Sequence, residues 1–421
     1  MNTHLKYLAL MIATLSSSAW CGGFALNEQS VKSMGTAQAG RASSATDATT
    51  TYTNPAGMTA LTGNNISGNL TYIYAPADIN NPQGSHAGSN DGDIIPPQWV
   101  GSGFMTHQVN DDLTIGIGNY APFGLSTNYE GNFQGRYFGD KSKVKVIAIQ
   151  PAIAYKLSPE LSIGAGLNIS QIEGLLSASI HPLVANSHLE VTGDDISYGY
   201  NLGLLWQVQP ATRVGFDYHS QTDYTLDGTT EIRNLNPLIN GNYTASLEIS
   251  TPASFELSLS HQLNDDVTLH SSAVLTQWSV LENLNIKNTG IPAAFASNFG
   301  AINEVLEWKD TWMYSVGADW KYANDLTLRA GLGIDQTPVS DAHRSVRVPS
   351  EDRTVLSLGA SYVFNDTLSF DVAYMYLKEK TAQVDAHKTL KNPDGSTTLI
   401  TYSAEYGGMA HLMGMQMNMK F

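Results

Sequence analysis

Apolar residues alternate with small or polar residues along most of the chain. In Leu161–Ser170, apolar side chains hold the odd positions and small or polar side chains hold the even ones. A period of two is typical of a β-strand whose two faces meet different surroundings. The pattern predicts about fourteen strands, at 64–75, 97–109, 112–124, 143–157, 160–177, 188–209, 212–228, 242–263, 266–283, 306–322, 325–338, 353–364, 367–380 and 408–421.

Short turns and long loops follow one another along the chain. Turns rich in Asn and Asp, such as Asn110–Asp112, connect some of the strands. Longer segments connect the others, near 76–96, 125–142, 178–190, 229–241, 284–305, 339–352 and 381–407. An outer-membrane barrel has its turns on one side and its loops on the other. We therefore expect residues 63–421 to form an all-β, transmembrane, antiparallel up-and-down β-barrel, with a large soluble β-sandwich as the alternative.

The N-terminal residues do not follow the alternating pattern. Residues 1–21 have an apolar core and small residues before a cleavage site after Cys21, which predicts a secretory signal peptide. Cys21 is the only cysteine, so we expect no disulfide in the mature protein. Residues 22–62 are rich in Gly, Ala, Ser and Thr. They form either a disordered tail or a plug inside the barrel, which we call the hatch.

Composition narrows the class of protein further. The chain has 38 acidic and 22 basic residues, a net charge of −16, and a charged fraction of only 14%. The acidic excess argues against nucleic-acid binding, because that depends on Lys and Arg neutralising phosphates. The chain also lacks the roughly 18-residue apolar run that a transmembrane helix requires. These properties favour a membrane protein that is built from strands.

No pattern of residues predicts catalysis, a metal site or a cofactor. His261, His270 and Ser271 could be drawn as a Ser–His pair, but chance proximity explains them better in a chain with 11 His residues. His181 and His188 lack Cys or carboxylate partners at ligand spacing. We therefore expect a protein that is not an enzyme and that binds no metal and no cofactor.

Aromatic residues lie near several predicted strand ends, where a bilayer interface favours them, although burial in a core is the alternative for each. These residues are Tyr155, Trp206, Trp278, Trp312, Trp320 and Tyr322. Phe421 ends the last alternating strand. We expect Phe421 to be an assembly signal that the barrel-assembly machinery reads, because the last strand is a free edge until the barrel closes.

The third predicted strand contains residues that disturb a β-ladder. Pro122 cannot donate a ladder hydrogen bond, and Gly and Asn tolerate the dihedral angles of a bend. We expect a kink with a broken ladder in this stretch, unless Pro122 simply ends the strand at a loop. The residues of the stretch are Gly118, Asn119, Tyr120, Ala121, Pro122, Phe123 and Gly124.

Two of the long loops carry apolar side chains. Leu235 and Leu238 lie in loop 229–241, and Phe295 and Phe299 lie in loop 284–305. Apolar side chains on a loop that faces water indicate a binding surface or a lid. Packing of the loop on itself is the alternative.

Several motifs resemble the FadL/TodX family of outer-membrane transporters for long-chain fatty acids and hydrocarbons. Gly23–Glu28 and Asn54-Pro55-Ala56 resemble the start of the family. The stronger match comes late in the chain, at Lys309-Asp310, Gly317, Leu326–Gly331, Asp335, Thr337–Val339, Arg344, Pro349, Asp352-Arg353, Leu356-Ser357, Gly359, Tyr362 and Phe364. The resemblance covers the mature chain from end to end.

The resemblance implies how such a barrel would work. Ligand is caught at the outer loops, moves to an apolar pocket near the N-terminus, and leaves sideways where the third strand kinks. Lys309 matches a basic position of the family, whereas the basic residue expected on the fifth strand falls near Glu173, which would repel a carboxylate. The resemblance implies long-chain fatty acids as the expected ligand, whereas Glu173 favours the alternative of neutral hydrocarbons. A general porin or a surface adhesin are the other classes.

We add a hypothesis on how the hatch is held. Gly23 and Phe24 reach into the pocket, and Asn54, Pro55 and Ala56 brace the hatch against the kinked strand. The amide of Asn54 can satisfy groups that a broken ladder leaves unpaired. The remaining expected partners are lipid and lipopolysaccharide of a Gram-negative outer membrane, in which the protein lies as a monomer.

Overall fold

The computed structural model describes residues 23–391 and 396–421, so the predicted signal peptide lies outside the described residues. The described residues contain four short α-helices: α1 Val31–Met34, α2 Arg41–Ser44, α3 Thr50–Thr53 and α4 Ala296–Phe299. The same residues form twenty strands. They are β1 Asn64–Tyr74, β2 Ala77–Gly84, β3 Gln98–Gln108, β4 Leu113–Asn128, β5 Lys141–Lys156, β6 Leu161–Ser179, β7 His188–Gln209, β8 Thr212–His219, β9 Thr222–Arg233, β10 Gly241–Thr251, β11 Ser254–Gln262, β12 Val267–Thr276, β13 Asn283–Thr289, β14 Ala301–Val305, β15 Thr311–Lys321, β16 Leu326–Asp335, β17 Arg353–Val363, β18 Leu368–Glu379, β19 Ala382–Lys391 and β20 Thr397–Lys420.

Fourteen of these strands form a closed antiparallel ring, which confirms the predicted fold. The ring runs β1, β3, β4, β5, β6, β7, β8, β11, β12, β15, β16, β17, β18 and β20. The last strand closes the ring on the first, from Asn65 opposite Lys420 to Tyr74 opposite His411. Closure satisfies the backbone donors and acceptors that lipid cannot bind. No described helix is long and apolar enough to cross a membrane.

The side with long loops has more regular structure than the sequence predicted. β7 and β9 pair with each other, and β9, β10, β13 and β14 continue as a curved wall above the ring. β2 and β19 flank the long strand β20 in the same way. The predicted loops 76–96, 284–305 and 381–407 therefore contain strands. The alternation of Ala382, Val384 and Ala386 in β19 is a signal that could have predicted one of them.

Side chains of the ring strands alternate between an outer face and an inner face. In β20, Met413 and Met415 are more than half exposed on the outer face, whereas Gln416 on the inner face is 2% exposed. Exposed Leu, Ile, Val and aromatic residues continue this outer face around the ring. An apolar outside and a polar inside are the reverse of a soluble protein and suit a bilayer.

Residues 23–62, which we call the N-terminal segment, pack against strands in several parts of the ring. Helix α1 packs against β17, β18 and β20, helix α2 against β8 and β11, and helix α3 against β3, β4 and β5. Glycines of the wall allow the close approach: a Cβ atom at Gly215 would lie 2.0 Å from the carbonyl oxygen of Ala42. A side chain at that position would push the segment away from the wall.

Charged side chains also hold the N-terminal segment. Arg41 reaches Glu256 on β11, with 2.6 Å between Nη2 and Oε2, and both side chains are buried. Lys32 pairs with Asp47 within the segment at 3.1 Å. The pair between Arg41 and Glu256 joins the segment to the wall. Breaking such a buried pair on one side leaves an uncompensated charge, which is strongly destabilising.

Candidate functional site

Strand β4 carries a bulge at the place where the sequence predicted a kink. Tyr120 lies opposite Ala148 of β5 and Phe123 lies opposite Val146, so Ala121 and Pro122 together face the single residue Ile147. The extra residue reverses the alternation, and it places both Tyr120 and Phe123 on the inner side. Pro122 suits this position because a bulge leaves one residue outside the ladder.

The ring has a gap beside this bulge. β3 pairs with β4 only from Gly103 opposite Asn119 downward, whereas β3 pairs with β1 up to Gln98. Above Asn119, β4 therefore separates from β3. At this height the wall is open between β3 and β4, and another segment of the chain can cover the opening.

The start of the N-terminal segment covers the bulge like an added strand. Ala25 forms a bridge with Phe123. The amide of Leu26 donates to the Pro122 carbonyl and the amide of Gly124 donates to the Phe24 carbonyl, both at 2.8 Å. The side-chain amide of Gln29 donates to the Ala121 carbonyl at 2.6 Å. Residues 24–29 thus satisfy the ladder groups that the bulge frees.

Asn54 does not brace the kink, so that part of the hypothesis is wrong. Its side-chain amide donates to the carbonyl of Leu204 on β7 at 3.0 Å and to that of Ala42 at 2.7 Å. Asn54 caps a 3₁₀ helix that begins at Pro55, and its Oδ1 accepts from the amide of Ala56 at 3.1 Å. The hydrogen-bond partners of Asn54 thus lie on β7 and within the N-terminal segment, and none of them lies on the kinked stretch of β4.

Phe24 lies at the centre of a buried aromatic group, which we call the Phe24 cluster. Its ring centroid is 4.9 Å from that of Trp278, 5.6 Å from that of Phe123 and 5.9 Å from that of Trp308. Gly23 has a φ of +69°, and a Cβ atom there would lie 2.7 Å from the Trp278 ring. The buried members are Phe24, Leu125, Trp278, Leu281, Leu306, Trp308 and Val339.

Of the seven buried members, only Phe24 was predicted as a site residue from the sequence, and both tryptophans were missed. Trp278 is 1% exposed, so its assignment to the bilayer interface is wrong, whereas Trp206, Trp312 and Trp320 are exposed. A 3₁₀ turn over Trp278–Val280 separates β12 from β13, and the side chain of Trp278 points inward. The sequence offered one signal for Trp308, because it directly precedes the Lys309-Asp310 motif.

An apolar cleft continues from the Phe24 cluster toward the loops. Val144, Ile249 and Leu284 belong both to its lining and to the surroundings of the cluster. The cleft is narrow, with a cavity volume of about 60 Å³. Its other apolar lining residues are Ile172, Leu175, Leu176, Val191, Leu226, Ala245, Leu247 and Ile286.

The two charged positions predicted to meet a ligand lie outside this cleft. Lys309 is exposed, and its backbone amide donates to the Pro338 carbonyl at 3.0 Å. Glu173 lies opposite Lys145 and Asp194, and its neighbour Ile172 is fully buried on the inner face of β6. Glu173 therefore belongs to the outer face, and the expected repulsion of a carboxylate in the lumen is wrong.

The apolar loop residues divide into packed and exposed ones. Phe299 is buried with Ile232 and Ile239, and Leu235 and Phe295 pack against this group. Leu238 is 74% exposed. The two loops therefore pack on each other, and they leave Leu238 in contact with water.

A closed ring of antiparallel strands with an apolar outer face defines an outer-membrane β-barrel. The chain belongs to a particular family of such barrels, the outer membrane protein transport proteins (OMPP1/FadL/TodX), whose model matches residues 12–421. Proteins of this family transport hydrophobic substrates and lie in the outer membrane of Gram-negative bacteria. These findings confirm the resemblance that the motifs indicated and the expected location.

Relatives match over their full length. Outer membrane protein P1 of Haemophilus influenzae is 29% identical, with 100% of this chain and 99% of the relative covered. The long-chain fatty acid transport protein of Escherichia coli K12 is 25% identical, with 98% of each chain covered.

Solved structures share the fold. A Pseudomonas aeruginosa FadL homologue superimposes with a TM-score of 0.81 at 23% identity, covering 95% of this chain and 100% of the homologue. The Pseudomonas putida toluene transporter TodX gives a TM-score of 0.66 at 16% identity, covering 97% of this chain and 100% of TodX.

Proposed function

We propose that this protein takes up long-chain fatty acids by passive diffusion across the outer membrane. The observation that carries the proposal is the apolar cleft, which ends at the Phe24 cluster directly beside the gap between β3 and β4. An acyl chain gains about 0.8 kcal/mol for each CH₂ group that it buries. A water-filled pore would offer no such gain. Full-length similarity to a long-chain fatty acid transport protein supports the same ligand class.

The route has three stages. Ligand meets exposed apolar side chains such as Leu238 at the loops, enters the cleft, and reaches Phe24. It then leaves sideways when residues 23–29 release the β4 edge. Such release requires that ligand binds the released state more tightly than the covered state. In this role the N-terminal segment is a hatch, with Asn54, Pro55 and Ala56 holding it to β7.

Neutral hydrocarbons are the second candidate, because the buried members of the Phe24 cluster are all apolar and carry no ionisable group. Lys309 is exposed and lies outside the cleft, so its proposed contact with a carboxylate requires a ligand that extends beyond the cleft.

A ring closed within one chain agrees with a monomer. Reading of Phe421 by the assembly machinery and contact with lipopolysaccharide stay predictions.

Uptake assays test this function. Cells that lack their own fatty acid transporter should accumulate radiolabelled oleate when they make this protein, and toluene accumulation in the same cells measures the second candidate. The purified protein in planar bilayers should show little steady conductance. Large, steady ionic conductance without oleate uptake would contradict the proposal and indicate a general porin.

A further inference from the structure

The loop between β16 and β17, residues 336–352, crosses the lumen. β16 and β17 are the eleventh and twelfth strands of the ring, and β4 and β5 are the third and fourth, nearly opposite. The Tyr129 hydroxyl, just after β4, donates to the Val346 carbonyl at 2.6 Å. Val346 is fully buried, and Val339 belongs to the Phe24 cluster. The loop therefore covers the lumen above the cluster.

Arg347 of this loop is buried beside the outer end of the apolar cleft. Its Nη1 atom donates to the hydroxyl of Ser142 at 3.0 Å and to the carbonyl of Lys141 at 3.1 Å. Ser142 lies opposite Leu176, a residue of the cleft lining. The guanidinium is thus next to an apolar wall, where an ionised group is costly unless it has a partner.

Glu304 neutralises Arg347 only in part. Its Oε2 atom lies 3.1 Å from Arg347 Nε, yet Nε is buried and makes no hydrogen bond of normal geometry. Glu304 lies opposite Leu284, another residue of the cleft lining. The carboxylate of Glu304 is partly exposed. It is therefore a partner that another carboxylate can replace at little cost.

A second cation adds to the positive potential here. Lys388 of β19 donates to the Tyr137 carbonyl and lies 5.4 Å from the ring centroid of Phe138. Burial, and then the charge of Arg347, lowers the pKa of Lys388 to about 8. Arg347 and Lys388 thus both lie close to Glu304, so Glu304 has two cationic neighbours.

The structure assigns to Arg347 the binding of the carboxylate of a fatty acid whose tail occupies the apolar cleft. This inference rests on the proposed function and gives it the head-group contact that Glu173 and Lys309 do not provide. The guanidinium contacts described above use Nε and Nη1 and leave Nη2 for a carboxylate oxygen. Arg347 would then distinguish fatty acids from neutral chains of the same length, because a neutral chain gains nothing from the cation.

Binding to the purified full-length barrel tests the assignment, with oleate and oleyl alcohol as probes that differ only in the head group. Arg347→Gln should weaken oleate binding about tenfold, because a charge-assisted hydrogen bond is lost. Oleyl alcohol binding should stay within about twofold. Arg347→Lys should keep most of the preference for oleate. Glu304→Gln should tighten oleate binding, because it removes the competing carboxylate.

A control separates head-group binding from damage to the loop. Arg344 holds the same loop through Glu351 and Asp341. Arg344→Gln should therefore affect both probes alike. If Arg347→Gln also weakens both probes equally, or leaves oleate unchanged, the assignment is wrong even though the transporter function stands. If the unmodified protein binds neither probe, the proposed function itself fails.

Discussion

Two parts of the N-terminal segment are held by different forces. Residues 23–29 attach to β4 through backbone hydrogen bonds and through aromatic contacts of Phe24. Residues 40–56 attach through the buried pair of Arg41 with Glu256, through Asn54, and through close approach to wall glycines. Residues 23–29 cover the irregular edge of β4, which could form other hydrogen bonds. Residues 40–56 are fixed to regular strands. The difference indicates a segment with one releasable end and one anchored end.

The largest effect should follow from removing the bulge. Deletion of Pro122 takes out the extra residue and leaves Tyr120 and Phe123 on the inner side, so β4 can pair continuously with its neighbours. We expect oleate uptake to be abolished while the amount of heat-modifiable barrel in the outer membrane stays normal.

Pro122→Ala is the matched control for this deletion. It keeps the extra residue and should keep most of the uptake, because the bulge depends on the number of residues. Undiminished uptake after the deletion would show that ligand does not leave through this gap.

The anchored end should respond to loss of one charge. Arg41→Met leaves Glu256 buried without its partner, which costs roughly 3–5 kcal/mol in such pairs. We expect residues 40–56 to detach from the wall. The ionic conductance of the variant in planar bilayers should then rise. The double variant Arg41→Met with Glu256→Met should restore low conductance. If the single variant conducts no more than the unmodified barrel, the pair is not an anchor.

A smaller effect should follow from truncating the releasable end. Phe24→Ala removes the ring from the Phe24 cluster, and we expect oleate to bind about tenfold more weakly to the purified barrel. Phe216→Ala is the control, because Phe216 is exposed on the outer face. Equal affinities for the Phe24 variant and the control would place the ligand elsewhere.

The sequence predicts the fourteen strands well because the two faces of a barrel wall differ at every residue. The sequence also indicates that Glu173 faces outward, since the odd positions of that strand carry the outward-facing residues Leu167 and Ile169. A prediction from spacing alone placed Glu173 in the lumen and ignored this parity.

Contacts between distant segments could not be predicted in the same way. Asn54 meets Leu204, 150 residues later, and nothing local distinguishes that partner from the kinked strand. Trp278 could face either lipid or lumen, because an aromatic residue near a strand end suits both places. The fold depends on a repeated local pattern, whereas the site depends on single long-range contacts.

One measurement tests most directly the claim that residues 23–29 release β4. Ala25 and Phe123 form a bridge of the type in which the flanking residues exchange the hydrogen bonds, so their Cα atoms are close enough for a disulfide. No cysteine follows Cys21 in the chain, so Ala25→Cys with Phe123→Cys introduces a single pair. Oleate uptake is compared in oxidised and reduced samples of this one variant. We predict that oxidation stops uptake and that reduction restores it. Equal uptake in both states would contradict a releasable end.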